Sequence, residues 1–183
     1  MLVFVLAGCA MFGAMDQYVG SLTRFWAPAW QVSALSAPWL VLPFLVGCTQ
    51  RRPARAAVVG TVGTLVALAA YGAMTDSPIE HATLTVASYS AFVRSNLLWF
   101  AGALVTGPAF GWLGHRWRVA RAPYAAAITS AVVLLEPLAH LLGARQAAPI
   151  GVVLIGEVAV GIVLVGWFAW GSGRRRSIDP RKW

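Results

Sequence analysis

The sequence predicts an all-α, polytopic membrane helix bundle, and two observations support this fold class. Of the 183 residues, 59% are hydrophobic and only 11% are charged, with a mean hydropathy of +0.71. A water-soluble domain needs a more polar surface, and a disordered chain needs lower hydrophobicity, so the composition excludes both. The second observation is a series of six apolar stretches of roughly the length that crosses a bilayer.

Each of these stretches is predicted to be a transmembrane helix, because about 20 apolar residues cross the hydrocarbon core. The six predicted helices cover residues 2–22, 35–49, 56–75, 95–114, 123–143 and 149–170. Pro38 and Pro43 interrupt the second, so we expect that helix to be tilted, kinked or begun earlier, near Trp30. Residues 1–172 are therefore predicted to form a single six-helix domain, followed by a basic cytoplasmic tail over 173–183.

The distribution of positive charge predicts the orientation of the chain. The net charge is +8. If the chain crosses six times with both ends inside, 11 of the 14 basic residues fall on the inner side: Arg51, Arg52, Arg55, Arg116, Arg118, Arg121, Arg174, Arg175, Arg176, Arg181 and Lys182. Only Arg24, Arg94 and Arg145 fall on the other side. This positive-inside pattern predicts an N-in, C-in topology and explains the charge without a nucleic-acid partner. Membrane lipids are the expected neighbours of the tail.

Three acidic residues lie inside predicted spans: Asp16, Glu136 and Glu157. Burying a charge at the centre of a membrane helix costs at least about 2.5–3.5 kcal/mol, so such residues are usually functional. Counted from the basic end of each span, Asp16 lies about 21 Å deep and the two glutamates about 20 Å deep. Because the three depths agree, we predict that these acids share one polar pocket and are the catalytic candidates.

The other acids have structural interpretations. Ser77-Pro78-Ile79-Glu80 has the pattern of a capping box with proline at the first helical position, so Glu80 is predicted to cap a helix near Asp76. Asp179 lies in the tail. Cys9 and Cys48 are predicted to be packing residues, since two isolated cysteines form neither a disulfide framework nor a metal site.

Five further side chains are candidates for contact with a substrate in the predicted pocket: Tyr18, Trp39, Tyr71, Trp99 and His140. His140 follows Glu136 by four residues and therefore shares its helix face. Tyr71 and Trp99 fall at a similar depth to the acids, and Trp39 lies a little deeper. Tyr18 follows Asp16 closely in the first span.

The chemistry of such a pocket is that of an acid in an aromatic-lined cavity. The sequence contains no H-E-x-x-H, paired cysteines, Walker loop or D-D-x-x-D cluster, so we predict no metal and no cofactor. A carboxyl group in apolar surroundings favours its neutral form and is a general acid. Aromatic faces stabilise cations. Together these features match the requirements of proton-initiated isoprenoid cyclisation.

Three segments carry a resemblance to a known group: Ala14-Met15-Asp16-Gln17-Tyr18, Ser36-Ala37-Pro38-Trp39 and Glu136-Pro137-Leu138. They resemble small actinobacterial integral membrane terpene cyclases of drimentine-type (indole cyclodipeptide sesquiterpenoid) pathways. The resemblance implies a metal-independent isomerase of natural product biosynthesis in the bacterial cytoplasmic (inner) membrane. Its hydrophobic substrate, a farnesylated indole or cyclodipeptide, is expected to enter from lipid. It also implies that Asp16 or Glu136 donates the proton while the other acid is a partner or base.

The sequence departs from better-known cyclases, because it lacks the P-x-E-E pattern of membrane lycopene cyclases and the D-x-D-D of soluble class II enzymes. It leaves two alternatives open. Six spans in fewer than 200 residues also describe the substrate-binding subunit of an energy-coupling-factor transporter for a vitamin or small solute. The second alternative is a structural or regulatory membrane protein, in which the acids only hold helices together. The sequence does not predict the oligomeric state.

Overall fold

A computed structural model describes residues 1–26, 29–143 and 151–176. Its described part is all-α, as predicted, and contains no strand. Eight α-helices occupy these ranges: α1 (Leu2–Ser21), α2 (Ala29–Ser33), α3 (Ala37–Cys48), α4 (Pro53–Thr75), α5 (Val86–Ser95), α6 (Leu97–Ala120), α7 (Pro123–Gly143) and α8 (Gly151–Arg176). Short 3-10 turns follow α1 and α4, at Leu22–Arg24 and Pro78–Glu80.

Within the described residues, three helices are long and apolar enough to cross a membrane: α1, α4 and α6, with 20, 23 and 24 residues. Shorter apolar segments are found in α3, α7 and α8. Many large apolar side chains point outward from the bundle, as lipid-facing residues do; Leu98, for example, is 82% exposed. The helices α7 and α8 cover the predicted fifth and sixth spans, and α8 continues to Arg176, four residues past the predicted domain end at 172. Arg145 and the tail beyond Arg176 lie outside the described residues.

The second predicted span is a broken helix. The predicted stretch 35–49 corresponds to α3, the possible earlier start near Trp30 lies in α2, and residues 34–36 separate the two helices. At 12 residues, α3 is about 18 Å long, well short of the roughly 30 Å hydrocarbon core. The break falls where Pro38 occupies the first turn of α3, a position at which its missing N–H costs no intrahelical hydrogen bond.

The predicted capping box at Ser77 is wrong. Ser77 does precede a helical turn, but its side chain makes no capping hydrogen bond, and the 3-10 turn ends at Glu80. The reason is the backbone of His81, whose φ of 58° is left-handed and stops the helix. A capping box forms instead at the start of α5, where the side chain of Thr85 and that of Ser88 each accept the other's backbone N–H.

The core of the bundle is held by close helix contacts at glycines. The helix α4 lies at its centre and packs against α1, α3 and α6. A Cβ atom at Gly13 would overlap the backbone carbonyl of Ala67, and one at Gly47 would overlap that of Gly111. Small residues at these crossings let the backbones touch, which is how membrane helices commonly associate. The helices α7 and α8 pack against each other, and α7 also contacts α3 and α6.

Candidate functional site

An internal cavity of about 500 Å³ lies between α1, α4, α5, α6 and the α2–α3 break. This volume falls within the range of small-molecule sites. The aromatic residues of its wall come from four helices: Trp39, Tyr71, Phe92 and Trp99. Its polar groups are fewer than its apolar ones and belong to Asp16, Ser33, Ser36, Thr64, Asn96 and Thr106.

Asp16 is the acid of this cavity. Its Oδ2 accepts a hydrogen bond from the indole Nε1 of Trp39 at 3.2 Å and a longer one from the Ser33 hydroxyl at 3.5 Å. Both donors come from the segment around the α2–α3 break, so the break brings two polar groups to a carboxyl that α1 would otherwise bury alone. Tyr71 on α4 also interacts with Asp16 and Ser33.

The aromatic rings form a continuous wall beside Asp16. Trp39 meets Phe12 edge-to-face at 5.2 Å between centroids and Tyr71 at 5.9 Å. Tyr71 in turn contacts Phe92 at 6.2 Å. Such ring pairs fix one another's orientation and present π faces and edges to the space they enclose. Trp99 completes the lining but remains 61% exposed, so the cavity reaches the outer surface of the bundle beside it.

Glu136 binds the other side of the α2–α3 break. Its two carboxylate oxygens accept the backbone N–H groups of Ser36 and Ala37. These N–H groups belong to the start of α3, where a helix has donors without intrahelical partners and the positive end of its dipole. An acid contributed from a residue a hundred positions away therefore caps α3.

Glu157 lies next to Glu136. It is 6% exposed, and its carboxyl group is close enough to that of Glu136 for hydrogen bonding and electrostatic interaction. Within the described residues, neither of its oxygens receives a hydrogen bond from a donor. Two ionised carboxylates only accept, so a bond between them requires a proton on one of the two.

The three predicted acids thus surround one short segment but do not share one cavity. Asp16 binds Ser33 and Trp39 on one side of residues 33–39, and Glu136 binds residues 36 and 37 of the same segment. Among the described residues, the cavity wall includes Asp16 but neither glutamate. The two glutamates form a separate pair outside the described cavity wall.

The remaining predicted contacts divide in the same way. Trp39, Tyr71 and Trp99 line the cavity. Tyr18 is 38% exposed and is not part of the described wall, because it lies two residues past Asp16 on a different face of α1. The backbone of His140 belongs to α7, and its side chain lies outside the described residues.

Sequence reasoning missed Ser33, Phe92 and Asn96. Ser33 carried no signal, since a lone serine near a span end has many roles. Phe92 lies on α5, a helix that begins before the predicted span 95–114, and Asn96 lies at the end of α5, inside that span, where its amide was not recognised as part of a site. The start of α5 could have been predicted, because Thr85 is followed three residues later by Ser88, and this is a polar capping pattern. Within the part of the chain that the structure describes, no three His, Cys, Asp or Glu side chains group around a possible metal position.

Fold and site together define a class: a helical membrane protein with an aromatic-lined cavity whose described wall includes the carboxyl group of Asp16. Within that class the chain belongs to a family of unknown function, DUF6518, whose family model matches residues 1–178. Searches of curated proteins and of solved structures found no match to the chain.

Proposed function

We propose that this protein is a membrane-embedded, metal-independent terpene cyclase that starts its reaction by protonating an isoprenoid chain. The observation that carries the proposal is the position of Asp16, a carboxyl group in the wall of a cavity of about 500 Å³ lined by four aromatic residues. A farnesyl chain is apolar and folds compactly, and its cyclisation needs one proton donor and surfaces that stabilise positive charge. The cavity offers both.

The reaction balances without an external reagent. The Asp16 carboxyl transfers its proton to the terminal double bond, and the resulting tertiary cation is attacked by an internal double bond, which closes a ring. Loss of one proton to the Asp16 carboxylate then forms a new double bond and restores the acid, so the product is an isomer of the substrate. Asp16 is the donor in this proposal, because it lines the cavity, whereas Glu136 is engaged with the start of α3.

Aromatic rings stabilise the cations along this path. A cation within about 6 Å of a ring face gains about 0.5–2 kcal/mol, and Trp39, Tyr71 and Phe92 contact one another in a chain beside the acid. The ring of Trp39 also donates to Asp16, which places one end of this aromatic wall directly at the proposed proton donor.

The substrate of the proposal is a farnesylated indole or cyclodipeptide that enters sideways from the lipid. Trp99 lines the cavity while remaining 61% exposed, and the adjacent Leu97 and Leu98 are exposed as well. An apolar rim beside an opening favours a substrate that partitions into hydrocarbon. The proposal includes the bacterial inner membrane, six crossings and both chain ends in the cytosol; no nucleic acid takes part.

The topology is tested by cysteine labelling. In a chain with Cys9 and Cys48 replaced by alanine, we expect Thr83→Cys to react with a membrane-impermeant maleimide in intact spheroplasts. Arg52→Cys should react only after permeabilisation, because the positive-inside rule places it in the cytosol. Both positions are exposed in the structure, so burial does not account for a difference. The reverse labelling pattern contradicts the orientation.

The aromatic wall is tested with a charged analogue. We expect a farnesyl analogue carrying a tertiary amine to bind Trp39→Leu roughly 2–30-fold more weakly than wild type, since leucine is apolar but lacks the π face. The matched control is Trp167→Leu, an exposed tryptophan on α8 that should leave Kd unchanged. Isothermal titration measures both. Equal losses for the amine and for its neutral carbon analogue would show that Trp39 provides volume alone.

A second candidate function rests on the polar part of the wall. Ser33, Thr64, Asn96 and Thr106 line the cavity beside Asp16, and such groups also suit a vitamin or small polar solute bound by a transporter subunit. Copurification with a pair of ATPase subunits, or genes for such a pair beside this one, would favour the transporter. Neighbouring genes for a cyclodipeptide synthase and a prenyltransferase would favour the cyclase.

A further inference from the structure

The pair formed by Glu136 and Glu157 has a geometry that the proposed cyclase reaction does not use. Gly161 on α8 packs against the side chains of Leu134 and Val133 on α7. In an antiparallel pair, a residue four positions before Gly161 lies beside one about four positions after Val133, at position 137, directly after Glu136. That register places Glu157 next to Glu136, in agreement with the contact between their carboxyl groups.

The two carboxyl groups have different surroundings. Glu136 receives two backbone N–H bonds at the positive end of α3, an environment that suits a negative charge. Glu157 is 6% exposed, and in the described part of the chain no donor faces its oxygens. A second negative charge there would be buried, without hydrogen bonds and adjacent to the first, which is strongly unfavourable.

We propose that Glu136 and Glu157 form a proton-binding site in which Glu157 holds the proton and donates its O–H to the ionised Glu136. The ligand of the site is a single proton. A metal cation is a poor candidate, because the N–H groups at the start of α3 present positive charge to the same oxygens. The site is separate from the cavity and does not depend on the proposed cyclisation.

Few other charged groups face the pair. The helix α7 packs against α3, α6 and α8. On α6, Arg116 donates to the Tyr124 hydroxyl near the start of α7, and Glu136 lies twelve residues farther along, about 18 Å away. The arginines of α8 begin seventeen residues after Glu157, about 26 Å along the helix, and α3 contributes only Cys48, at its opposite end. The side chain of His140, one turn after Glu136, lies outside the described residues.

The proton gives the pair a positioning role. With Glu157 neutral, Glu136 keeps the single charge that fixes residues 36 and 37. The same segment carries Ser33 and Trp39, both donors to Asp16. Glu136 and Glu157 are therefore positioning residues for the cavity acid, acting through the α2–α3 break.

Infrared spectroscopy tests the site on the 183-residue chain in lipid, without substrate. We expect wild type to show a protonated-carboxyl C=O band that disappears in Glu157→Gln. The band should persist in Asp16→Asn, which removes only the separate band of the cavity acid, and should shift in frequency in Glu136→Gln, because the acceptor changes from carboxylate to amide. The readout involves no turnover, so its outcome is independent of whether the chain cyclises isoprenoids.

Each alternative outcome of this experiment overturns the proposal. A Glu157→Gln spectrum identical to that of wild type would show that Glu157 is ionised. A band lost in Glu157→Gln but unmoved in Glu136→Gln would show that the two residues do not share the proton. If Glu157→Gln fails to fold, the Glu136→Gln spectrum still decides: a shifted band upholds the pair, and an unshifted one refutes it.

Discussion

Replacing Asp16 with asparagine is expected to lower the rate of cyclisation by roughly 100-fold or more, the usual contribution of a positioned general acid. Asparagine has nearly the same size, and its carbonyl oxygen still accepts the hydrogen bond that Trp39 Nε1 donates at 3.2 Å. What it lacks is a transferable proton. The measurement incubates membranes with farnesylated indole and follows a cyclised product of unchanged mass, at matched amounts of protein.

The matched control for this variant is Asp76→Asn, the same substitution at an acid that lies after α4 and outside the described cavity wall. It should cyclise at the wild-type rate. If Asp16→Asn and wild type give the same rate, Asp16 is not the donor. Equal losses in both variants would point to a general effect of removing an acid from this chain.

The second large effect concerns the crossing of α1 and α4. We expect Gly13→Val to lower the free energy of unfolding by about 1–3 kcal/mol or more, because the added side chain overpacks a site where even a Cβ atom overlaps the Ala67 carbonyl. The helices must separate to accommodate it. Thermal unfolding in detergent, followed by loss of monodisperse protein, measures the change.

Gly8→Val is the control, on the same helix and with the same substitution. No atom outside the helix lies within 4 Å of a Cβ at Gly8, which is exposed on the outer face of α1. Its stability should stay close to that of wild type. Equal destabilisation by both variants would mean that valine is unfavourable anywhere in α1, and the close crossing would lose its support.

The helical class and the clustering of the acids around one segment were accessible from the sequence. Both depend on local information: composition, hydropathy and a fixed rise per residue, which together placed Asp16, Glu136 and Glu157 at one level. That level corresponds to residues 33–39, where two of these acids bind the segment directly and the third contacts one of them.

The separation of the acids into two sites was not accessible in this way. Depth along a helix says nothing about the direction in which its face points, so Asp16 and Glu136 appeared to share one pocket. At the break between α2 and α3, Glu136 accepts the backbone N–H groups of Ser36 and Ala37, a contact between residues about a hundred positions apart. A hydropathy profile detects the apolar stretch. It does not detect a distant carboxylate that caps the helix after the break.

The wall contributed by α5 was missed for a related reason. Phe92 reaches the cavity region because Gly72 on α4 has no side chain where the ring lies, and Tyr89 anchors α5 through a 3.3 Å hydrogen bond to the Ala69 carbonyl. These are pairwise fits between two helices. A one-dimensional pattern does not contain them.

The central claim, that Asp16 initiates cyclisation by transferring a proton, is tested most directly by running the reaction in deuterated water. The initiating proton comes from an exchangeable carboxyl, so wild-type membranes should convert farnesylated indole into a cyclised product that carries one carbon-bound deuterium. Asp16→Asn membranes should yield almost none of it. A cyclised product without deuterium, no product from wild type, or equal labelled product from both proteins would contradict the claim.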